Sequence, residues 1–252
     1  MRRTGIVITA AALAALAAGG TAQAVVVLGS GQSIGVADLF AQGSDRKVLI
    51  EDKLFTFKSI RSSTISFTHM RVAGYVASSS SRGPGMSIGF DLTGLIGDFA
   101  PGDGRMAELN LQYTVEVVPA AYAADWRIFD TGLAFNGMAS GTGSFARVDE
   151  TVIDLDTNRF LGNLSAFWNA GPPPSQRLTD HRDYRSLPGG EHGFRALEVN
   201  KDIKFFANTQ AGYSAASFVR QEFSQAMLPS PGALALLGLS GILGARRRRG
   251  DR

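Results

Sequence analysis

The sequence predicts an all-β protein: an antiparallel, jelly-roll-like β-sandwich flanked by an N-terminal signal helix and a short C-terminal apolar helix. Three observations predict it. Residues 109–117, Leu-Asn-Leu-Gln-Tyr-Thr-Val-Glu-Val, alternate apolar and polar without a break. A period of two puts Leu109, Leu111, Tyr113, Val115 and Val117 on one buried face and leaves Asn110, Gln112, Thr114 and Glu116 in water. Residues 197–205 keep the same alternation except at Lys201. Turn-formers punctuate the chain at 78–85, 101–104, 136–143 and 188–190, and no body segment carries a 3.6-residue apolar stripe over three turns.

In chain order, residues 1–24 read as a secretory signal. Arg2 and Arg3 form a basic start, residues 5–18 are uncharged and apolar, and Ala22-Gln23-Ala24 is a small-x-small cleavage site, so the mature chain starts at Val25. The body, 25–228, offers further strand-like runs at 53–57, 64–67, 70–76, 86–92, 126–128, 146–153 and 217–223. Residues 169–191, with three consecutive prolines at 172–174, read as a long loop or an insertion.

The tail, 229–252, opens on Pro229-Ser230-Pro231-Gly232, runs apolar to Ala245 and ends on Arg246-Arg247-Arg248-Arg249. The prolines stop a helix from running back into the body, since each lacks an amide donor and disfavours helix before it. Fourteen residues from Gly232 to Ala245 reach about 21 Å as a helix, short of a hydrocarbon core of about 30 Å, so the span is marginal. The four arginines act as a cytoplasmic stop that leaves the body outside.

The whole chain carries 25 Lys+Arg against 22 Asp+Glu. Setting aside both ends leaves the body with 18 basic and 21 acidic residues, a net of −3. The basic character therefore belongs to the targeting ends, and nucleic acid is not expected as a partner. There is no cysteine, which removes disulfides, thiol nucleophiles and cysteine metal sites and leaves stability to the core.

In its order of parts, residues 229–249 resemble the PEP-CTERM sorting signal of exported bacterial proteins. In that family a Pro-Glu-Pro precedes the apolar segment; here Ser230 replaces the glutamate. The resemblance implies that the secretion machinery and signal peptidase handle the chain first. An exosortase-like membrane protease would then process the tail, in a setting rich in extracellular polysaccharide. The body also looks like a recurrent type among such proteins, on Asp52-Lys53-Leu54-Phe55, Tyr113-Thr114-Val115, Ile128-Phe129-Asp130, Val199-Asn200-Lys201-Asp202-Ile203 and the aromatic run 218–223. That second resemblance implies no active site.

Four patterns bear on chemistry. Gly85-Met86-Ser87-Ile88-Gly89 matches the G-x-S-x-G elbow, but the alternation of Met86, Ile88, Phe90 and Leu92 predicts a continuing strand instead of the helix that elbow needs. Gly141-Thr142-Gly143-Ser144-Phe145-Ala146 fits a dinucleotide fingerprint, yet a strand-like run follows, so a glycine-rich hairpin is expected. Asp154, Asp156 and Asn158 place oxygens at calcium-loop spacing, but Arg159 stands where an EF-hand has glycine and Ser165 where it has glutamate; a looser calcium site or a plain turn remains. His181 and His192 share a polar segment with Asp180, Asp183 and Glu191, expected as a solvated loop. Trp126 and Trp168 are expected in the core by default, the alternative being stacking on sugars.

The expected function is an exported envelope or matrix protein, structural, adhesive or bound to extracellular polysaccharide, with no catalytic residue assigned. The competing expectations are a secreted polysaccharide hydrolase or lyase with paired carboxylates on a sandwich face, and a calcium-dependent adhesion module.

Overall fold

The computed structural model describes residues 25–41, 46–77, 86–118 and 126–227. The expected signal segment with Ala22 and Ala24, the motif Pro229-Ser230-Pro231-Gly232, and Arg246, Arg247, Arg248 and Arg249 lie outside the described residues, as do both segments expected as flanking helices.

The strands are β1 (Val25–Val27), β2 (Ser33–Gly35), β3 (Arg46–Ile50), β4 (Lys53–Ser62), β5 (Arg71–Ala77), β6 (Ser87–Asp98), β7 (Ala107–Val117) and β8 (Trp126–Phe135). They continue with β9 (Met138–Ser140), β10 (Phe145–Asp154), β11 (Arg159–Asn169), β12 (Ser175–Arg177), β13 (Thr179–Asp183), β14 (Ala196–Phe206) and β15 (Tyr213–Met227). One short helix, α1 (Val36–Ala41), and a 3-10 turn at Gly190–His192 interrupt them. Two sheets result. The larger runs β1-β3-β4-β7-β14-β10-β11-β12, and the second runs β13-β8-β15-β6-β5-β2 with β9 beside β15. Every pairing is antiparallel except β1 with β3.

The alternation that predicted β7 and β14 places their apolar residues between the sheets. Leu109, Leu111, Tyr113, Val115, Leu197, Val199, Ile203 and Phe205 are buried, and β7 pairs with β14 along its length. Phe55, Phe57, Phe90, Tyr113 and Phe223 stack at the centre, with Phe55–Phe90 edge-to-face at 5.4 Å and Phe90–Tyr113 at 5.2 Å. β6 and β15 approach so closely that a Cβ on Gly89 would collide with the Gln221 carbonyl oxygen.

Several expectations need correction. Thr64–Phe67 forms no strand; β4 ends at Ser62, and the chain turns there towards the second sheet. The segment 169–191 is no free loop, because β12 extends the larger sheet and β13 the second, each satisfying edge hydrogen bonds. β11 escaped sequence reading because its inward residues change phase: Leu161 and the following Leu164 and Ala166 are buried on either side of Gly162, where the register against β10 shifts. Gly162 has φ 152°, a conformation that suits glycine at this irregularity.

Candidate functional site

The outer face of the larger sheet carries a polar trench that follows directly from strand register. Because β4, β7, β14, β10 and β11 are consecutive neighbours, residues in register form rungs across the sheet. One rung reads Ser59, Gln112, Asn200, Thr151, Asn163; the next reads Arg61, Asn110, Asp202, Asp149, Ser165. A bulge at Lys58 sets the phase of β4 so that Ser59 and Arg61 face outward with their partners. A depression of about 550 Å³ opens over the β4, β7, β14 and β10 members of these rungs, and no aromatic side chain lines it.

Hydrogen bonds hold the trench floor. Gln112 Nε2 donates to Glu198 Oε1 at 2.9 Å, Asn200 Nδ2 donates to the same oxygen at 3.1 Å, and Thr151 Oγ1 donates to Asn163 Oδ1 at 3.0 Å. Asp149 and Asp202 stand directly opposite each other in register. Arg147 Nε lies 2.6 Å from Asp149 Oδ2, and Lys204 pairs with Asp202. Burial pushes the Asp202 carboxyl up, against the pull of Lys204, while the Asp202 hydrogen bond pushes the Lys204 ammonium up.

A second polar set lies inside the sandwich. Lys201 faces inward, so its break in the β14 apolar pattern is a buried polar side chain and not a lapse in alternation. Its Nζ donates to Glu150 Oε2 at 2.5 Å and to Gln221 Oε1 at 2.7 Å. Gln221 Nε2 donates to the Gly132 carbonyl at 3.2 Å. Lys53, fully buried, donates to Gln225 Oε1 and lies 3.5 Å from Asp52 Oδ1. Burial lowers the Lys53 ammonium to about 8, opposed by Asp52 and Asp130. Buried Asp130 accepts from the Ser224 amide at 3.2 Å and lies 3.4 Å from His181 Nε2. Tyr184, buried, donates its hydroxyl to Thr131 Oγ1 at 2.6 Å.

The other residues singled out from sequence take structural places. Asp154 ends β10, and its carboxylate accepts from the Asp156 amide at 3.2 Å and from Thr157 Oγ1. Asn158 has φ 54°, so these oxygens shape the β10–β11 turn. Among the described residues no group of three or more His, Asp or Glu gathers as a metal site. Ser87 lies on β6, buried, donating to Glu222 Oε2 at 3.1 Å, in a strand and not at an elbow. Gly141 and Gly143, at φ 87° and 80°, make a turn as expected, but it carries the chain from β9 in one sheet to β10 in the other and closes no hairpin. His181 sits on β13 and not in a loop, whereas His192 is exposed beside Glu191. Trp126 and Trp168 are half-buried and outside the core; Trp168 lines a small pocket with Pro174, Ser175 and Gln176. Sequence reading missed the trench because alternation marks a residue as outward without saying which outward residues become neighbours.

No family model matches this chain, and no curated protein matches it in sequence. Among solved structures it is similar to a DUF4465 family protein from Bacteroides caccae, at TM-score 0.24 and 11% identity over 65% of this chain and 86% of that one. It is also similar to the family 11 carbohydrate-binding module of a cellulosomal cellulase of Clostridium thermocellum, at TM-score 0.18 and 10% identity over 64% and 85%. The same kind of module in complex with a β-1,3-1,4-mixed-linked tetrasaccharide matches at TM-score 0.19 and 10% identity over 68% and 89%. Likeness at this level carries no argument about what this chain binds.

Proposed function

We propose that this chain is exported, held at the cell envelope by its tail, and binds extracellular polysaccharide in the trench of a jelly-roll-like sandwich. The observation that carries the reading is the rung Ser59, Gln112, Asn200, Thr151, Asn163: five hydrogen-bonding side chains in register across five strands, the first four of which line an open depression. Neighbouring strands lie about 4.8 Å apart, so the rung spans roughly 19 Å, enough for several sugar rings. Amide and hydroxyl groups that both donate and accept match the hydroxyl pattern of a glycan. Signal peptidase would release the chain at Ala24, and an exosortase-like protease would act near Pro229-Ser230-Pro231-Gly232, with Arg246–Arg249 on the cytoplasmic side. The body is proposed to act by binding, without catalysis.

The test is co-sedimentation of the exported protein with the producing organism's exopolysaccharide, with and without calcium, while soluble sugar release is followed. Sedimentation without release supports the proposal. The absence of both sedimentation and release sinks it. Calcium dependence would instead bring Asp154, Asp156 and Asn158 back as a ligand loop.

One observation favours a second reading, polysaccharide hydrolysis: Asp149 and Asp202 face each other across the trench floor. Release of soluble sugar that disappears in Asp202→Asn would establish it.

A further inference from the structure

We propose that Lys201 and Gln221 join in an intramolecular amide cross-link between the two sheets, with Glu150 carrying the proton. Lys201 comes from β14 in the larger sheet and Gln221 from β15 in the second, so the bond ties the sandwich halves through the core. The three side chains meet in a site closed to water: Lys201 and Glu150 are 2% exposed and Gln221 0%. Lys201 Nζ lies 2.7 Å from the carboxamide oxygen of Gln221 and 2.5 Å from the Glu150 carboxyl. The Gly132 carbonyl holds the amide nitrogen of Gln221 at 3.2 Å, which leaves the carboxamide oxygen turned to the amine. The second carboxyl oxygen of Glu150 makes no hydrogen bond of good geometry among the described residues, and the nearby Gln221 carboxamide pulls the acid's pKa down, against the burial that raises it.

The chemistry needs a neutral amine and an acid that gives and takes a proton, and burial supplies both. Desolvation drives the Lys201 ammonium down and the Glu150 carboxyl up, each against the attraction of the other, towards an uncharged pair. Nζ attacks Cδ of Gln221 while Glu150 protonates the departing amide nitrogen. The Nζ–Cδ bond forms, the Cδ–Nε2 bond breaks, and a proton from Nζ returns to Glu150. One ammonia leaves, Glu150 ends as it began, and no oxidant or cofactor enters. Fixed geometry replaces the entropy of a bimolecular encounter, and the dry site protects the product from hydrolysis. A cysteine-free exported chain has no disulfide with which to make such a tie. Lys53 makes a similar contact with Gln225, but its carboxylate neighbour, Asp52, is 20% exposed, so that pair lacks the enclosed acid.

The inference stands apart from the polysaccharide reading, and mass spectrometry of the purified full chain tests it. Intact mass is expected to fall below the sequence mass of the processed chain by one ammonia. Proteolysis should yield one branched peptide containing Lys201 and Gln221. Lys201→Met and Gln221→Met should show no ammonia loss, and Glu150→Gln should stay unlinked while still melting cooperatively. Separate, unmodified peptides carrying Lys201 and Gln221 from the wild-type chain would overturn the proposal, whether or not the variants fold. An ammonia loss that maps to other residues would overturn it equally.

Discussion

Lys53 offers the cleanest pH experiment at the residue scale. Its ammonium titrates near 8 in the folded chain and near 10.5 when unfolded. Between those values the unfolded chain holds the proton and the folded chain does not, so stability rises with pH across that window. The gain from pH 7 to pH 10 is roughly 2–3 kcal/mol, after which the raised pKa values of buried Tyr113 and Tyr184 reverse the trend. Asp52, Asp130 and Gln225 are the groups that surround it. Urea denaturation at pH 7, 8, 9 and 10 should show the rise in wild type and lose it in Lys53→Met; an unchanged slope in the variant would assign the effect elsewhere. Tyr184→Phe should cost about 1–2 kcal/mol, because it leaves Thr131 buried without its donor. At this scale the sequence spoke through one irregularity: Lys201 interrupts an otherwise regular pattern because it points into the core. Lys53, Asp130 and Lys201 all belong to the buried polar set.

Register decides what happens at the scale of elements. β6 and β15 pack backbone to backbone at Gly89, so Gly89→Ala should destabilise by about 2–4 kcal/mol, read from the urea midpoint, whereas Gly104→Ala, with open space around it, should pay only for its positive φ. The trench rung makes the opposite kind of claim. Asn200→Ala and Gln112→Ala each remove about one hydrogen bond of ~1 kcal/mol to a glycan and should weaken binding about fivefold in affinity electrophoresis with little change in melting temperature. Loss of fold in these variants, or full binding, would remove the rung from the site. The alternating runs predicted β7 and β14 closely because each has one wetter face and one dry face, with two exceptions on β7: Thr114, expected in water, is buried, and Val117, expected buried, is half-buried. β12 and β13 were not legible: they are short, polar and edge-bound, so pairing and not burial makes them strands. β11 was hidden by the phase change at Gly162.

The described residues form a sandwich, and the proposed address lies in the tail, apart from its core. Deleting residues 229–252 should change where the protein accumulates and its processed mass, while the body melts as before, since the described core draws on residues up to Phe223. Fractionation with immunodetection checks the first expectation and calorimetry the second; unchanged location would end the sorting proposal. Among the described residues no helix is long and apolar enough to cross a membrane. The sequence by itself determined the all-β class, the separation of basic ends from an acidic body, and most of the inward and outward faces of β7 and β14, because period-two patterning and net charge are local properties of the chain. Only the tertiary structure decided that Lys201 meets Gln221 across the sheets and that Ser59, Gln112, Asn200, Thr151 and Asn163 share one rung. Those neighbours lie far apart in sequence, and strand order and register, which no local pattern encodes, bring them together.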